Sequence, residues 1–194
     1  MTVGAVLLAA GSARRMGTDK LLADLGGKPL ALHAFDAILA AGFDRPIVAA
    51  VPGGEIARLL ADRASIVPVA DHALGMGHSL AAAIRAVPPS WTAVIICLAD
   101  MPFVRPSTMK ALAAAAGPDA VVRPIHGGVP GNPVLWARVH FAALGALTGD
   151  QGGRDILVRH PAALLVCDDP GVTIDIDTPE ALAAARARGT MEFP

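Results

Sequence analysis

Short apolar runs alternate with helix-length segments along almost the whole chain, and this alternation constrains the fold more than any other feature. Val3–Ala9 is a continuous apolar run stopped by Gly11, the pattern of a strand buried on both faces. Residues 29–41 have helical spacing, open with a proline suited to a first turn and stop at Gly42. Residues 46–51, 65–69, 93–98, 119–123, 132–136, 163–167 and 172–176 read as further strands. Residues 55–64, 79–87, 106–116, 139–147, 153–160 and 179–188 read as helices. Ser79 is expected to cap one of them and Gly189 to stop the last. The proline at position 68 keeps the 65–69 strand out of the middle of a sheet. Strands separated by such helices imply βαβ units and a mostly parallel sheet covered on both faces.

Composition narrows the class. With 54% apolar and 17% charged residues, the 194-residue chain is far from the disordered regime, and its length fits a single domain spanning 1–194. Sixteen basic against 17 acidic residues give a net charge of −1, which disfavours a nucleic-acid partner. Cys97 and Cys167 form no C-x-x-C, so a reducing, cytoplasmic compartment is expected. The first apolar run is too short to span a bilayer. It is followed, not preceded, by Arg14 and Arg15, the wrong order for a signal peptide, and no membrane association is expected.

In open sheets of this kind ligands bind outside the carboxyl ends of the strands, and four polar segments fall there. The first, residues 8–20 (Leu8, Ala9, Ala10, Gly11, then SARRMGTDK), follows strand one directly. Small residues let backbone approach a ligand, successive N–H groups can cradle an anion, and Arg15 and Lys20 add positive charge. Polyphosphate fits this segment; an ordinary loop with solvated cations is the plainer reading. It is neither a Walker A loop nor G-x-G-x-x-G, which argues against a nicotinamide oxidoreductase. The second segment, GMGHSL at 75–80, places Gly77 and Ser79 at a helix start, with His78 near a ligand by position alone. The third puts Asp100 just past a buried strand, where a carboxylate suits a hard cation such as Mg²⁺. The fourth, DIDTPE, carries Asp175 and Asp177 two residues apart and on one face if extended; helix capping is the competing role. No metal-binding histidine spacing and no G-x-S-x-G are present. The Gly-rich segments 127–132 and 148–155 are candidate substrate lids or plain loops.

Taken in order, LAAGSARRMGTDK, GMGHSL, LADMP, GNPVLW, GDQGGRD and DIDTPEAL closely resemble the MobA-like nucleoside-triphosphate transferases. The nearest branch is the molybdenum cofactor cytidylyltransferases, followed by the guanylyltransferases. The resemblance implies a Rossmann-like three-layer α/β/α sandwich similar to nucleotide-diphospho-sugar transferases. It also implies a reaction: a terminal phosphate of molybdopterin attacks the α-phosphate of a nucleoside triphosphate and pyrophosphate leaves. By the same resemblance, Gly11, Arg15 and Lys20 match triphosphate-binding positions, Ala9 and Ala10 the base-side wall, and Leu8 is a further nucleotide-binding candidate. Gly77 and Ser79 match nucleotide contacts, and Asp100 the Mg²⁺-binding aspartate. Asp175 and Asp177 lie in the closing acidic motif, with Asp177 favoured for the metal, and Asn132 and Pro133 match the acceptor side. Alanine at position 10, where guanylyltransferases carry a second glycine, favours CTP over GTP; many cytidylyltransferases have histidine where this chain has Asn132. A transient contact with a molybdenum enzyme follows from the same family, as does the competing reading of a non-catalytic nucleotide- or cofactor-carrying module.

Overall fold

Alternate residues of the first apolar run face opposite layers, and this sets the architecture. The structure, a computed structural model, describes residues 1–11, 20–149 and 153–192. In chain order the first elements are β1 (Val3–Ala9), β2 (Asp24–Leu25), β3 (Lys28–Pro29), α1 (Leu30–Ala40), β4 (Ile47–Ala50), α2 (Glu55–Leu60), β5 (Ser65–Pro68), α3 (Met76–Arg85) and β6 (Ala93–Leu98). Then come α4 (Pro106–Ala114), β7 (Val121–His126), β8 (Val129–Pro130), β9 (Val134–Ala137), α5 (Phe141–Gly145), α6 (Arg154–Arg159), β10 (Ala163–Val166) and α7 (Pro179–Glu192). Ala5, Leu7 and Ala9 pack with Phe35 and Ile38 of α1, Leu60 of α2 and Leu112 of α4. Val6, Leu8 and Ala10 pack on the other side with Leu80 and Ile84 of α3 and with Phe141 and Leu144 of α5. Each fully buried Leu, Ile or Phe contributes roughly 1.5–3 kcal/mol, so both interfaces are needed to hold the sheet. The expected three-layer α/β/α sandwich is the result.

The sheet runs β10-β7-β9-β6-β1-β4-β5, with β8 paired to β7. β1 pairs in parallel with β4 and β6, β4 with β5, and β7 with β10. β5, the strand containing Pro68, lies at the edge, where a missing N–H is tolerated. β9 is antiparallel to both β6 and β7, so the sheet is mixed on that side. The short turn through Gly127 and Gly128, both at positive φ, folds β8 back on β7 as a hairpin.

Four local expectations change. Residues 172–176 form no strand: Pro170–Thr173 is a 3₁₀ turn in which the Asp169 side chain accepts from the Gly171 amide. Instead of a ladder, the Val172 carbonyl accepts from the Asn132 amide and the Ile176 N–H donates to the Asp100 carbonyl, both at 2.9 Å. Ser79 is not an N-cap, because α3 begins three residues earlier at the turn made by Gly75, whose φ of 122° favours glycine. α2 ends at Leu60, short of residue 64. α7 continues through Gly189 to Glu192, since one internal glycine costs a helix only about 1 kcal/mol. No helix of the described residues is long and apolar enough to cross a membrane.

Candidate functional site

The chain builds β1, β4 and β5 outward on one side, then returns to lay β6 on the other side of β1. The reversal leaves a crevice beyond the carboxyl ends of β1 and β6, the position at which open α/β sheets take ligands. A cleft of about 850 Å³ occupies it, toward the upper end of the ~300–1,000 Å³ usual for small-molecule sites. Leu8, Ala10 and Gly11 reach it from the end of β1, and Leu98 and Asp100 from the end of β6. Lys20, on the 3₁₀ turn that precedes β2, and Ser79, in α3, complete this side.

Lys20 is the centre of charge. Its Nζ donates to Asp100 Oδ2 at 2.8 Å and also to Asp177 Oδ1. The lysine side chain is only 13% exposed and Asp100 22%, whereas Asp177 is 48% exposed at the mouth. Burial pulls the Lys20 pKa down, but attraction and hydrogen bonding to Asp100 and Asp177 outweigh it, and the ammonium ends above its ordinary value. It is therefore charged throughout the neutral range. The Asp175 pKa is raised as well, which for a carboxyl favours the neutral form. Burial, a hydrogen bond with Asp177 and repulsion from Asp177 and Asp100 all raise it. Asp100 Oδ1 is buried with no hydrogen-bond partner among the described residues. Such an orphaned acceptor is costly unless something else binds there.

The structure thus brings Leu8, Ala10, Gly11, Lys20, Ser79, Asp100, Asn132, Asp175 and Asp177 to one cleft. Ala9 turns its side chain to the opposite core face, and Pro133 faces a small pocket behind the cleft with Cys97 and Met109. Gly77 is buried outside the lining, its amide donating to the Gly149 carbonyl, and His78 is also outside it. Arg15 lies outside the described residues, as do most of the loop after Gly11 and residues 150–152 of the second Gly-rich segment. Of the other candidate lid, Val129, Pro130, Gly131 and Asn132 do line the cleft.

Two walls were not foreseen. The 3₁₀ turn His72–Leu74, not singled out in the sequence, extends the expected Gly75 and Met76 of GMGHSL into one rim. On the other side Arg123 reaches in from β7, its Nε and Nη2 both donating to the Gly131 carbonyl at 3.2 and 3.1 Å. Val172 and Thr173 close that end, and a polar residue inside an otherwise apolar strand was the available signal for Arg123. Among the described residues no three His, Cys, Asp or Glu side chains form a ready-made metal cage. A hard cation that keeps water and phosphate ligands needs only one or two carboxylates, so Asp100 and Asp177 suffice, and the unpartnered Asp100 oxygen fits that role.

Comparison with known proteins gives a consistent picture. The family described as "MobA-like NTP transferase domain" matches residues 5–164. The purine catabolism protein PucB of Bacillus subtilis is 30% identical over 190 residues, covering 90% of this chain and 91% of that protein. The bifunctional protein GlmU of Roseobacter denitrificans is 34% identical over 120 residues, 59% of this chain, and this match spans about a quarter (27%) of GlmU. Among solved structures, Rv0371c of Mycobacterium tuberculosis superposes with a TM-score of 0.85 at 26% identity, covering 96% of this chain and 98% of that one. The same protein in complex with manganese gives 0.81 at 26% identity, with 96% and 99% covered. Molybdopterin-guanine dinucleotide biosynthesis protein A of Archaeoglobus fulgidus shares the fold, with a TM-score of 0.72 at 20% identity and 99% and 100% covered.

Proposed function

This chain belongs to the MobA-like NTP transferase family and is a nucleotidyltransferase, and from that premise we propose that it moves CMP from CTP onto the terminal phosphate of molybdopterin. The oxygen of that phosphate forms the new bond to the α-phosphorus, the bond from the α-phosphorus to the bridging oxygen breaks, and pyrophosphate leaves. One observation carries the reading: a buried lysine held between two carboxylates, beside Ala10 and Gly11, at the switch point of the sheet. Nucleotidyl transfer asks the protein for positioning and charge neutralisation rather than for a covalent nucleophile, and this centre provides both.

The chain's own residues divide the work. Lys20 and Arg15 meet the triphosphate, and Gly11 lets backbone approach it. Leu8, Ala10 and Ser79 line the nucleoside half, with the Ala9 and Gly77 backbones behind them, and the Ala10 methyl takes up space that a glycine would leave open, which favours CTP over GTP. Asn132, Pro133 and Arg123 belong to the acceptor half. Asp100 and Asp177 hold a divalent cation, Mg²⁺ in this reading, with Asp175 beside them. When bound, that ion supplies charge neutralisation and orientation of the phosphates. The manganese complex of Rv0371c supports a divalent ion, and the motifs LAAG, GMGHSL, LADMP and DIDTPEAL support the acceptor and nucleotide. Residues 1–194 act as one catalytic domain in the cytoplasm, and the product passes to a molybdenum enzyme by a transient contact.

The test is magnesium-dependent pyrophosphate release with molybdenum-loaded molybdopterin, offering CTP, GTP, ATP and UTP in parallel. Release with CTP alone is expected. Release with GTP instead overturns the nucleotide choice and leaves the reaction. No release from folded protein that binds a nucleotide by calorimetry overturns the transfer to molybdopterin; the carrier-module reading predicts this outcome.

A further inference from the structure

The acidic centre depends on a segment, residues 168–177, that has almost no regular structure of its own. It is held instead by a buried carboxylate outside the cleft. Asp169 is 2% exposed. Its Oδ1 accepts from the Gly171 amide at 3.0 Å, and its Oδ2 accepts from the Arg105 amide at 2.9 Å and from the Thr108 hydroxyl at 2.6 Å. The carboxylate thus joins the start of α4, which follows the Asp100 loop, to the 3₁₀ turn that leads to Asp175 and Asp177. Arg105 Nη1 adds a bond to the Asp168 carbonyl at 2.6 Å.

Further on the segment is in tight backbone contact. A Cβ on Gly171 would lie 2.1 Å from the Phe103 carbonyl oxygen, and one on Gly131 would lie 2.1 Å from that of Val172. The Asn132 amide donates to the Val172 carbonyl, and the Ile176 amide to the Asp100 carbonyl, both at 2.9 Å. That last bond sets the acidic motif directly against Asp100. Through it the bonds made by Asp169 reach the site.

We propose that Asp169 is a positioning residue: by tying residues 168–177 to the start of α4 it sets Asp177, with Asp175 beside it, at the distance from Asp100 that the cation and triphosphate require. This rests on the metal-dependent transfer proposed above. Two of the three groups that face Asp169 are backbone N–H donors on different oxygens. Asparagine therefore turns its own NH₂ onto one of them whichever way it is placed.

The experiment compares Asp169→Asn, Thr108→Val and Thr108→Ser with the parent protein. Amide exchange at Ile176 reads the position of the segment, Mn²⁺ affinity by electron paramagnetic resonance reads the carboxylates, and kcat and KM for nucleotide read the reaction. In Asp169→Asn, Ile176 exchange is expected to speed up about tenfold while Leu7 and Ile95 in the core strands keep their protection. Mn²⁺ affinity and kcat each fall roughly tenfold, and KM for nucleotide stays within about twofold. Thr108→Val moves the same readouts in the same direction by less, and Thr108→Ser restores them. Unchanged Ile176 exchange in folded Asp169→Asn overturns the proposal. So does faster exchange at Ile176, Leu7 and Ile95 together with unaltered Mn²⁺ affinity, which marks a purely structural role. A parent protein that binds no Mn²⁺ overturns the metal reading, while Ile176 exchange still decides the role of Asp169.

Discussion

On one wall of the cleft Asp100, Lys20 and residues 168–177 hold each other through long-range bonds, and the backbones at Gly131 and Gly171 touch their neighbours. On the other, residues 72–76 form a turn closed by local hydrogen bonds, and Leu74 and Met76 stand 61% and 50% exposed. Val129, at the tip of the β7–β8 hairpin, is 55% exposed as well. The first wall carries charge and is braced from three directions. The second is largely apolar apart from His72, whose Nδ1 is buried with no hydrogen-bond partner among the described residues, and its turn is closed by local bonds. Charge stabilisation needs groups fixed before the reaction begins, whereas a rim that reads the shape of a base or an acceptor can move at small expense. On the function proposed above, the difference puts reaction and selectivity on separate walls.

Six substitutions test that division, beginning with the one expected to do most. Asp100→Asn removes a carboxylate from the braced wall and is expected to lower kcat about 10³-fold, because a bound cation contributes several kcal/mol of charge stabilisation and each 1.36 kcal/mol is a decade. Circular dichroism should show an intact fold; turnover equal to the parent's would remove Asp100 from the reaction. Lys20→Ala comes next. It is expected to lower kcat and to raise KM for nucleotide, each by about 10–100-fold, in steady-state assays. Because its pairing raises the Lys20 pKa, the ion pairs persist across neutral pH and are lost only as pH rises past the folded value, beyond the ordinary lysine range. A wild-type pH profile with a limb from this group near neutrality would contradict that sign.

Gly171→Ala separates bracing from chemistry. Its methyl group meets the Phe103 carbonyl, and a loss of about 1–3 kcal/mol in urea denaturation is expected. Gly11→Ala, where a Cβ meets nothing within 4 Å among the described residues, should stay within about 0.5 kcal/mol. Equal losses at the two sites would erase the contrast between braced and open backbone. The smallest effect belongs to the rim. Leu74→Ala and Met76→Ala should leave stability within about 0.5 kcal/mol yet change the ratio of kcat/KM for CTP and GTP by up to about tenfold. An unchanged ratio would take the rim out of nucleotide selection.

Much of the fold was legible in the sequence. β1, β4 and β6 are short, continuously apolar runs, and burial on both faces leaves that signature. Lys20 and Asp100, 80 residues apart, were legible because they follow the ends of β1 and β6; Asp177, 157 residues from Lys20, was expected after a strand that does not form and was picked out by its acidic motif. Strand direction was not legible. Residues 132–136 look the same whether parallel or antiparallel; the clue was Gly127-Gly128, since a turn that short reverses the chain. β2 and β3 are two residues each, too brief for any periodicity, although Gly26-Gly27 marks their turn. Residues 172–176 are apolar enough for a strand, but isolated cross-bonds to Asn132 and Asp100 replace the ladder. Asp169 gave no sign because its role comes from partners 61 to 64 residues away.

The reach of the Lys20–Asp177 contact has a consequence for how the protein comes into being. α7 packs Leu182 and Ala185 against Leu25, Leu30 and Ile176, and Arg186 Nε donates to the Asp24 carbonyl at 3.0 Å, so the last helix clasps the hairpin that follows Lys20. A ribosome emits Lys20 early and Asp177 157 residues later, on the order of ten seconds or more at usual rates of synthesis. During that interval the nascent chain can gather β1, β4 and β6 into a sheet with half of its charge centre missing. A chain halted before residue 170 would lack Asp175 and Asp177, so the charge centre around Lys20 closes only after that stretch has been made.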